Sequence, residues 1–135
     1  MRPLSDLPRA VATGAHTVFS DIDDTLTTDG RLTPPAYAAM DALQRAGLRV
    51  ILITGRPAGW CDHIGRMWPV DGVIGENGAF YCWHDAAAHK LQCRHLLNAT
   101  ERSAHAARLA RVRDTILREV PGSAVASDQF CRLYD

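Results

Sequence analysis

The sequence predicts an α/β fold built on a parallel sheet, and three observations lead there. Two short runs, an apolar one at residues 17–22 that ends in acidic residues and a nearly all-apolar one at 48–53, suit buried strands. Between them, Tyr37, Met40 and Leu43 recur at helical spacing, so strand, helix and strand form a parallel pair joined by a right-handed crossover. A second helical stretch is followed by the brief apolar piece Gly72-Val73-Ile74-Gly75, which extends the alternation.

Each element has its own local signal. The first run ends in acidic residues, which places carboxylates at the C-terminal end of a strand. Asp29-Gly30 is a strong tight-turn pair, and residues 25–32 read as a small hairpin just past that strand. Thr33 suits an N-cap with Pro34 at the first helical position, and Gly47 stops the helix. The β-branched run 48–53 ends at Thr54-Gly55-Arg56. Residues 57–68 read as a second helix weakened by Gly59 and Gly65, and residues 78–83 as an extended piece belonging to a hairpin. Residues 86–97 show no clear period and are left between loop and helix. Asn98 with Glu101 three positions on resembles a capping box that opens a long helix, which Pro121-Gly122 ends; residues 124–134 then read as extended.

At 135 residues with 47% hydrophobic content, the chain is expected to form one globular unit. Its 15 basic and 15 acidic side chains balance, so neither nucleic acid nor a membrane surface is an expected partner, and a small molecule is. The first fifteen residues, with Pro3, Asp6 and Pro8, are expected to be neither a signal peptide nor an anchor, and no later run reaches transmembrane length. A reducing, cytoplasmic setting follows as an expectation, with free thiols at Cys61, Cys82, Cys93 and Cys131. Cys82, His84, His89, Cys93 and His95 are zinc-ligand types in a short stretch, yet their spacing matches no common zinc motif. A loop with solvated histidines is the simpler reading.

The chemistry gathers at two strand ends. Asp21 and Asp23 stand two residues apart, so on a regular strand both point into the crevice where open α/β sheets bind ligands. Such oxygens suit a hard ion such as Mg²⁺, which can bridge them to a phosphate. Asp21, Asp23 and Asp24 could also be plain turn-formers. Thr54-Gly55, on the neighbouring strand about 4.8 Å away, tips the balance by offering a hydroxyl and an unhindered N–H for a phosphoryl group.

Phe19-Ser20-Asp21-Ile22-Asp23-Asp24-Thr25-Leu26-Thr27, Ile53-Thr54-Gly55-Arg56-Pro57 and Gly75-Glu76-Asn77-Gly78-Ala79 together resemble the haloacid dehalogenase superfamily of phosphatases, and within it the sugar-phosphatase branch. The resemblance spans residues 18–79, nearly half the chain. It implies a Rossmann-like parallel core over residues 1–83 and the beginning of an inserted α+β cap over 84–135. It implies that Asp21 is the nucleophile, Asp23 the general acid and base, and Thr54 and Gly55 the phosphoryl ligands. Mg²⁺ would be held by the Asp21 carboxylate and the Asp23 carbonyl, and the substrate would be a small phosphorylated metabolite such as a sugar phosphate. Asp24 stands where many relatives carry glycine and receives no catalytic duty. Arg56 and Asn77 could touch substrate, or serve as an ion-pair partner and a left-handed turn residue.

The pattern also breaks. The family uses a later lysine to stabilise the aspartyl-phosphate and a late acidic motif to complete the metal site, but Lys90 is the only lysine and falls outside a core strand. Asp128 and Asp135 are available acids, yet Ser127-Asp128-Gln129 lacks the glycine-rich setting of that motif. The expectation is a C-terminally truncated chain that ends inside the cap, with an apolar edge at residues 17–22 that invites self-association. Two classes of function follow: a phosphatase, or a non-catalytic metal- or phosphate-binding module or inactive fragment.

Overall fold

The computed structural model describes residues 3–134. Asp135, one of the two candidate late acids, lies outside the described residues. From the N-terminus the elements are a short helix α1 (Arg9–Thr13), β1 (Thr17–Asp21), the two-residue strands β2 (Thr27–Thr28) and β3 (Arg31–Leu32), α2 (Pro34–Arg45), β4 (Arg49–Ile53), α3 (Ala58–Met67), β5 (Gly72–Gly75), β6 (Phe80–Asp85), β7 (Lys90–His95) and α4 (Ala99–Glu119).

Local chemistry sets the boundaries. Thr33 accepts a hydrogen bond from Ala36 N to open α2, with Pro34 at the first helical position, and Gly47 at φ 84° follows its end. Asp29 and Gly30, at φ 51° and 71°, make the left-handed turn between β2 and β3. Asn98 and Glu101 exchange side-chain and backbone hydrogen bonds in a full capping box at the start of α4.

The main sheet runs in the order β1-β4-β5-β6-β7. Its first three strands are parallel, and β6 and β7 return antiparallel. The α/β architecture with a parallel core is therefore the one the sequence implied. One face carries the core, in which Val50, Leu52, Val73, Phe80 and Cys82 pack with Met40 of α2 and with Cys61 and Ile64 of α3. Fully burying side chains such as Leu52 and Ile64 stabilises the fold by about 1.5–3 kcal/mol each. On the opposite face Phe19, Ile53 and Tyr81 are exposed. Strands β1 and β4 are thus covered on one side only among the described residues, and there β1 pairs with β4 alone. No helix among the described residues is long and apolar enough to cross a membrane.

Gly75, at the end of β5, shows how tight this core is. An added Cβ there would overlap the Phe80 ring and come within 2.6 Å of Cys61 Sγ. Both neighbours are buried, so neither can swing into solvent. Gly75→Ala is expected to lower the unfolding free energy by about 2–3 kcal/mol, at the upper end of overpacking costs. Urea denaturation measures it, and a midpoint equal to wild type would show slack that the packing does not reveal.

Three expectations are corrected. Residues 90–95 form a strand, which the sequence left undecided because the turn at residues 86–89 lacks glycine, proline and asparagine. This strand carries the sheet on to His95. Residues 124–134 are not an extended piece but a coil with a 3₁₀ turn at Gln129–Cys131, folded back against α3. Finally, Cys82 and Cys93 are disulfide-bonded, and only Cys61 and Cys131 are free thiols. The hairpin register sets the two directly opposite each other with Cα atoms 4.2 Å apart, a pairing that spacing along the chain does not disclose. The bridge consumes both thiols of the candidate zinc cluster, and no group of three or more potential metal-ligating side chains forms among the described residues.

Candidate active site

The turn that follows β1 winds around one carbonyl. Ile22 O accepts from the backbone N–H groups of Thr25, Leu26 and Thr27 at 3.3, 3.0 and 3.0 Å, and from the buried Thr27 hydroxyl at 3.1 Å. The same hydroxyl oxygen accepts from Asp24 N at 3.3 Å. Asp24 adopts φ 56°, a conformation glycine takes without strain, which explains why glycine suits this position. The turn leaves Asp21 exposed at the strand end, where Thr25 Oγ1 donates to its Oδ2 at 3.4 Å. No described residue donates to the Asp23 carbonyl.

The end of β4 lies alongside. Asp21 pairs in register with Ile53, so Thr54 stands one step beyond the pair. Thr54 is buried, and its N–H donates to Ile74 O of β5 at 2.9 Å. Its Oγ1 accepts from Arg56 N at 3.0 Å, which leaves the hydroxyl hydrogen to donate elsewhere. Asn77 closes the cluster: its N–H donates to Thr54 O at 3.2 Å, and its amide lies over Gly55, where an added Cβ would meet Oδ1 at 3.0 Å. At φ 55°, ahead of Gly78 at 99°, Asn77 is the left-handed turn residue.

Arg56 reaches back across the crevice to Asp23. Its Nε donates to both carboxylate oxygens at 3.2 and 3.0 Å, and Nη2 lies 2.6 Å from Oδ1, while the guanidinium carbon sits 4.9 Å above the Trp60 ring. These hydrogen bonds hold the Asp23 carboxyl below the usual carboxylate range and raise Arg56. In this arrangement Asp23 is an anion at neutral pH. The fold thus brings together Asp21, Asp23, Thr54, Gly55, Arg56 and Asn77, and it gives Arg56 the ion-pair role that the sequence had left open.

Sequence reasoning missed three supports. One is Thr27, described above. Another is Glu76, 4% exposed, whose carboxylate accepts from Ala58 N at the start of α3 and from Leu133 N and Tyr134 N in the C-terminal coil. The third is that coil itself. Glu76 sits in the Gly-Glu-Asn-Gly turn and could have been singled out there; nothing in the sequence marks the coil. The free Cys61 is no hidden nucleophile, because burial, aided by the Glu76 charge, pushes its thiol up to about 12.

The donor set fits a hard cation. The Asp21 carboxylate and the uncommitted Asp23 carbonyl provide two oxygens, enough for an ion that keeps several waters and takes further ligands from a phosphate.

The model of the haloacid dehalogenase-like hydrolase family matches residues 18–112. No curated protein sequence matches the chain. Among solved structures, a phosphatase of the haloalkanoate enzyme superfamily from Bacteroides thetaiotaomicron is 24% identical over 80% of this chain, with a TM-score of 0.54. A hypothetical protein from Geobacillus kaustophilus is 22% identical over 76%, at 0.53. A haloacid dehalogenase-like hydrolase from B. subtilis is 23% identical over 73%, also at 0.53. At these identities the likeness is one of fold. The chain covers 39%, 38% and 34% of those three structures respectively.

Proposed function

Because this chain belongs to the haloacid dehalogenase-like hydrolase family, we propose that it serves a Mg²⁺-dependent phosphohydrolase that works through an aspartyl-phosphate on a small phosphorylated metabolite. One observation carries the reading: the exposed Asp21 carboxylate ends β1 in register with β4, beside Thr54 and Gly55, with Asp23 held two residues on by Arg56.

In the first step an Asp21 oxygen attacks phosphorus, the ester P–O bond breaks, and the leaving alkoxide takes a proton from Asp23. Water then attacks the aspartyl-phosphate and gives a proton to Asp23, and the Asp21–phosphorus bond breaks to release phosphate. Asp23 must leave Arg56 and gain a proton before the first step. Its side chain is 44% exposed, so it has room to move. Thr54 and Gly55 receive the phosphoryl oxygens, and Arg56, once released, and Asn77 would meet the substrate. The Asp21 carboxylate and the Asp23 carbonyl would hold Mg²⁺, which when bound neutralises charge on the transferred group.

The motif resemblance to the sugar-phosphatase branch supports a sugar phosphate as substrate. A cytoplasmic location belongs to the same reading, although the Cys82–Cys93 bridge is of a kind that reducing compartments seldom keep. The division of the chain into core and cap at residue 84 stays a proposal, with the β6–β7 hairpin lying across it. A second reading, a module that binds metal or phosphate without turnover, draws on Lys90, the only lysine, which stands opposite Asp85 in the strand register next to the turn of that hairpin, away from Asp21.

One assay separates the two. The full-length protein, given small phosphate esters, should release phosphate with Mg²⁺ and stop on EDTA, with activity restored by added Mg²⁺. Release indifferent to EDTA would remove the metal from the mechanism. Phosphate and Mg²⁺ binding without release would leave the second reading.

A further inference from the structure

The C-terminal coil is anchored against the loop after β4. Arg132 Nη1 donates to the Gly55 carbonyl at 3.3 Å, and Arg132 Nε lies 3.8 Å from Asp128 Oδ1. Asp128 also adds to the field that holds the proton on Arg56, so charges alternate along Asp23, Arg56, Asp128 and Arg132. On the far side of Arg132, Leu133 N and Tyr134 N bond to Glu76, and the Tyr134 hydroxyl meets His95 Nδ1 at 2.8 Å. Cys131 packs over Gly59 so closely that an added Cβ there would lie 3.1 Å from its Sγ. With contacts on both sides, the Arg132 side chain is only 20% exposed.

We propose that Arg132 is a positioning residue for the phosphate-binding loop: it fixes the Gly55–Arg56 peptide so that the Thr54 hydroxyl presents its hydrogen to a phosphoryl oxygen. This rests on the phosphohydrolase reading above. The Gly55 carbonyl and the Arg56 N–H are the two ends of one rigid peptide plane. Arg132 holds the oxygen end, and the nitrogen end donates to Thr54 Oγ1 at 3.0 Å. A cationic donor polarises the peptide and strengthens its N–H as a donor, so the two hydrogen bonds reinforce each other. Thr54 Oγ1, once it accepts from that N–H, directs its single hydrogen away from Arg56 and into the crevice. Asp128 steadies the arrangement by holding Arg132 on one side while it faces Arg56 on the other.

The test uses the full-length protein with Arg132→Gln, which removes the charge, and Arg132→Lys, which keeps it. In the ligand-free protein, exchange of the Arg56 amide hydrogen should speed up by about tenfold in Arg132→Gln, the scale of one lost charge-assisted hydrogen bond, and return toward wild type in Arg132→Lys. With a small phosphate ester, kcat should fall by roughly ten- to a hundredfold in Arg132→Gln while KM changes little, because the oriented hydroxyl matters most as charge develops. Should Arg132→Gln not fold, Asp128→Asn removes the ion pair while leaving Arg132 in place, and it should speed the same exchange. Unchanged Arg56 exchange in a folded Arg132→Gln protein, or in Asp128→Asn where that is the variant measured, overturns the proposal whatever the turnover. Faster exchange in a protein whose wild type hydrolyses no ester upholds the positioning role and sinks the phosphohydrolase reading instead.

Discussion

Asp21→Asn should abolish turnover in the full-length protein, lowering kcat by about 10⁴-fold or more, as loss of a covalent nucleophile does. The substitution replaces one carboxylate oxygen by an amide and keeps the size of a side chain that is exposed and, among the described residues, held by only one long hydrogen bond, from Thr25 at 3.4 Å. Folding should therefore be untouched, which isolates the chemical loss. Acid-quenched protein incubated with labelled substrate should carry acyl-phosphate in wild type and none in the variant. Asp24→Asn is the control, because Asp24 serves the turn through its left-handed backbone, which asparagine also adopts readily. Equal activity in the two variants would remove Asp21 from the role of nucleophile.

Glu76→Ala should cost about 3–5 kcal/mol of stability, the range for breaking a buried charged hydrogen-bond set by deleting one partner. Glu76 is 4% exposed, and its two oxygens join Ala58 N at 2.9 Å, Leu133 N at 2.9 Å and Tyr134 N at 2.6 Å. Alanine would leave those donors without their acceptor and open space beneath them. It would also keep the left-handed backbone at φ 43° without the contacts that hold it there. Glu76→Gln retains one carbonyl oxygen and should cost less. The urea midpoints of the two variants, ranked against wild type, measure this. A wild-type midpoint for Glu76→Ala would mean that the C-terminal coil is not held through this residue.

The sequence determined much on its own, where the signal was local. The Thr33 cap, the Asp29-Gly30 turn and the Asn98–Glu101 capping box each depend on a few neighbouring residues, and each formed where it was read. The alternation of apolar strands and helices similarly led to the parallel order β1-β4-β5, because the crossover rule leaves few other topologies. Asp21, Asp23, Thr54 and Gly55 were legible as one cluster for the same reason: adjacent parallel strands bring their C-terminal ends together.

What only the tertiary structure decided involves partners far apart in the chain. The Arg56–Asp23 ion pair depended on where the turn after β1 sends a carboxylate 33 positions away. The Cys82–Cys93 bridge depended on the hairpin register, and the burial of Glu76 on a coil 57 and 58 positions later. Local propensity carries no information about which distant group will satisfy a buried charge or face a thiol. That is settled by packing, through the cost of leaving such groups without a partner.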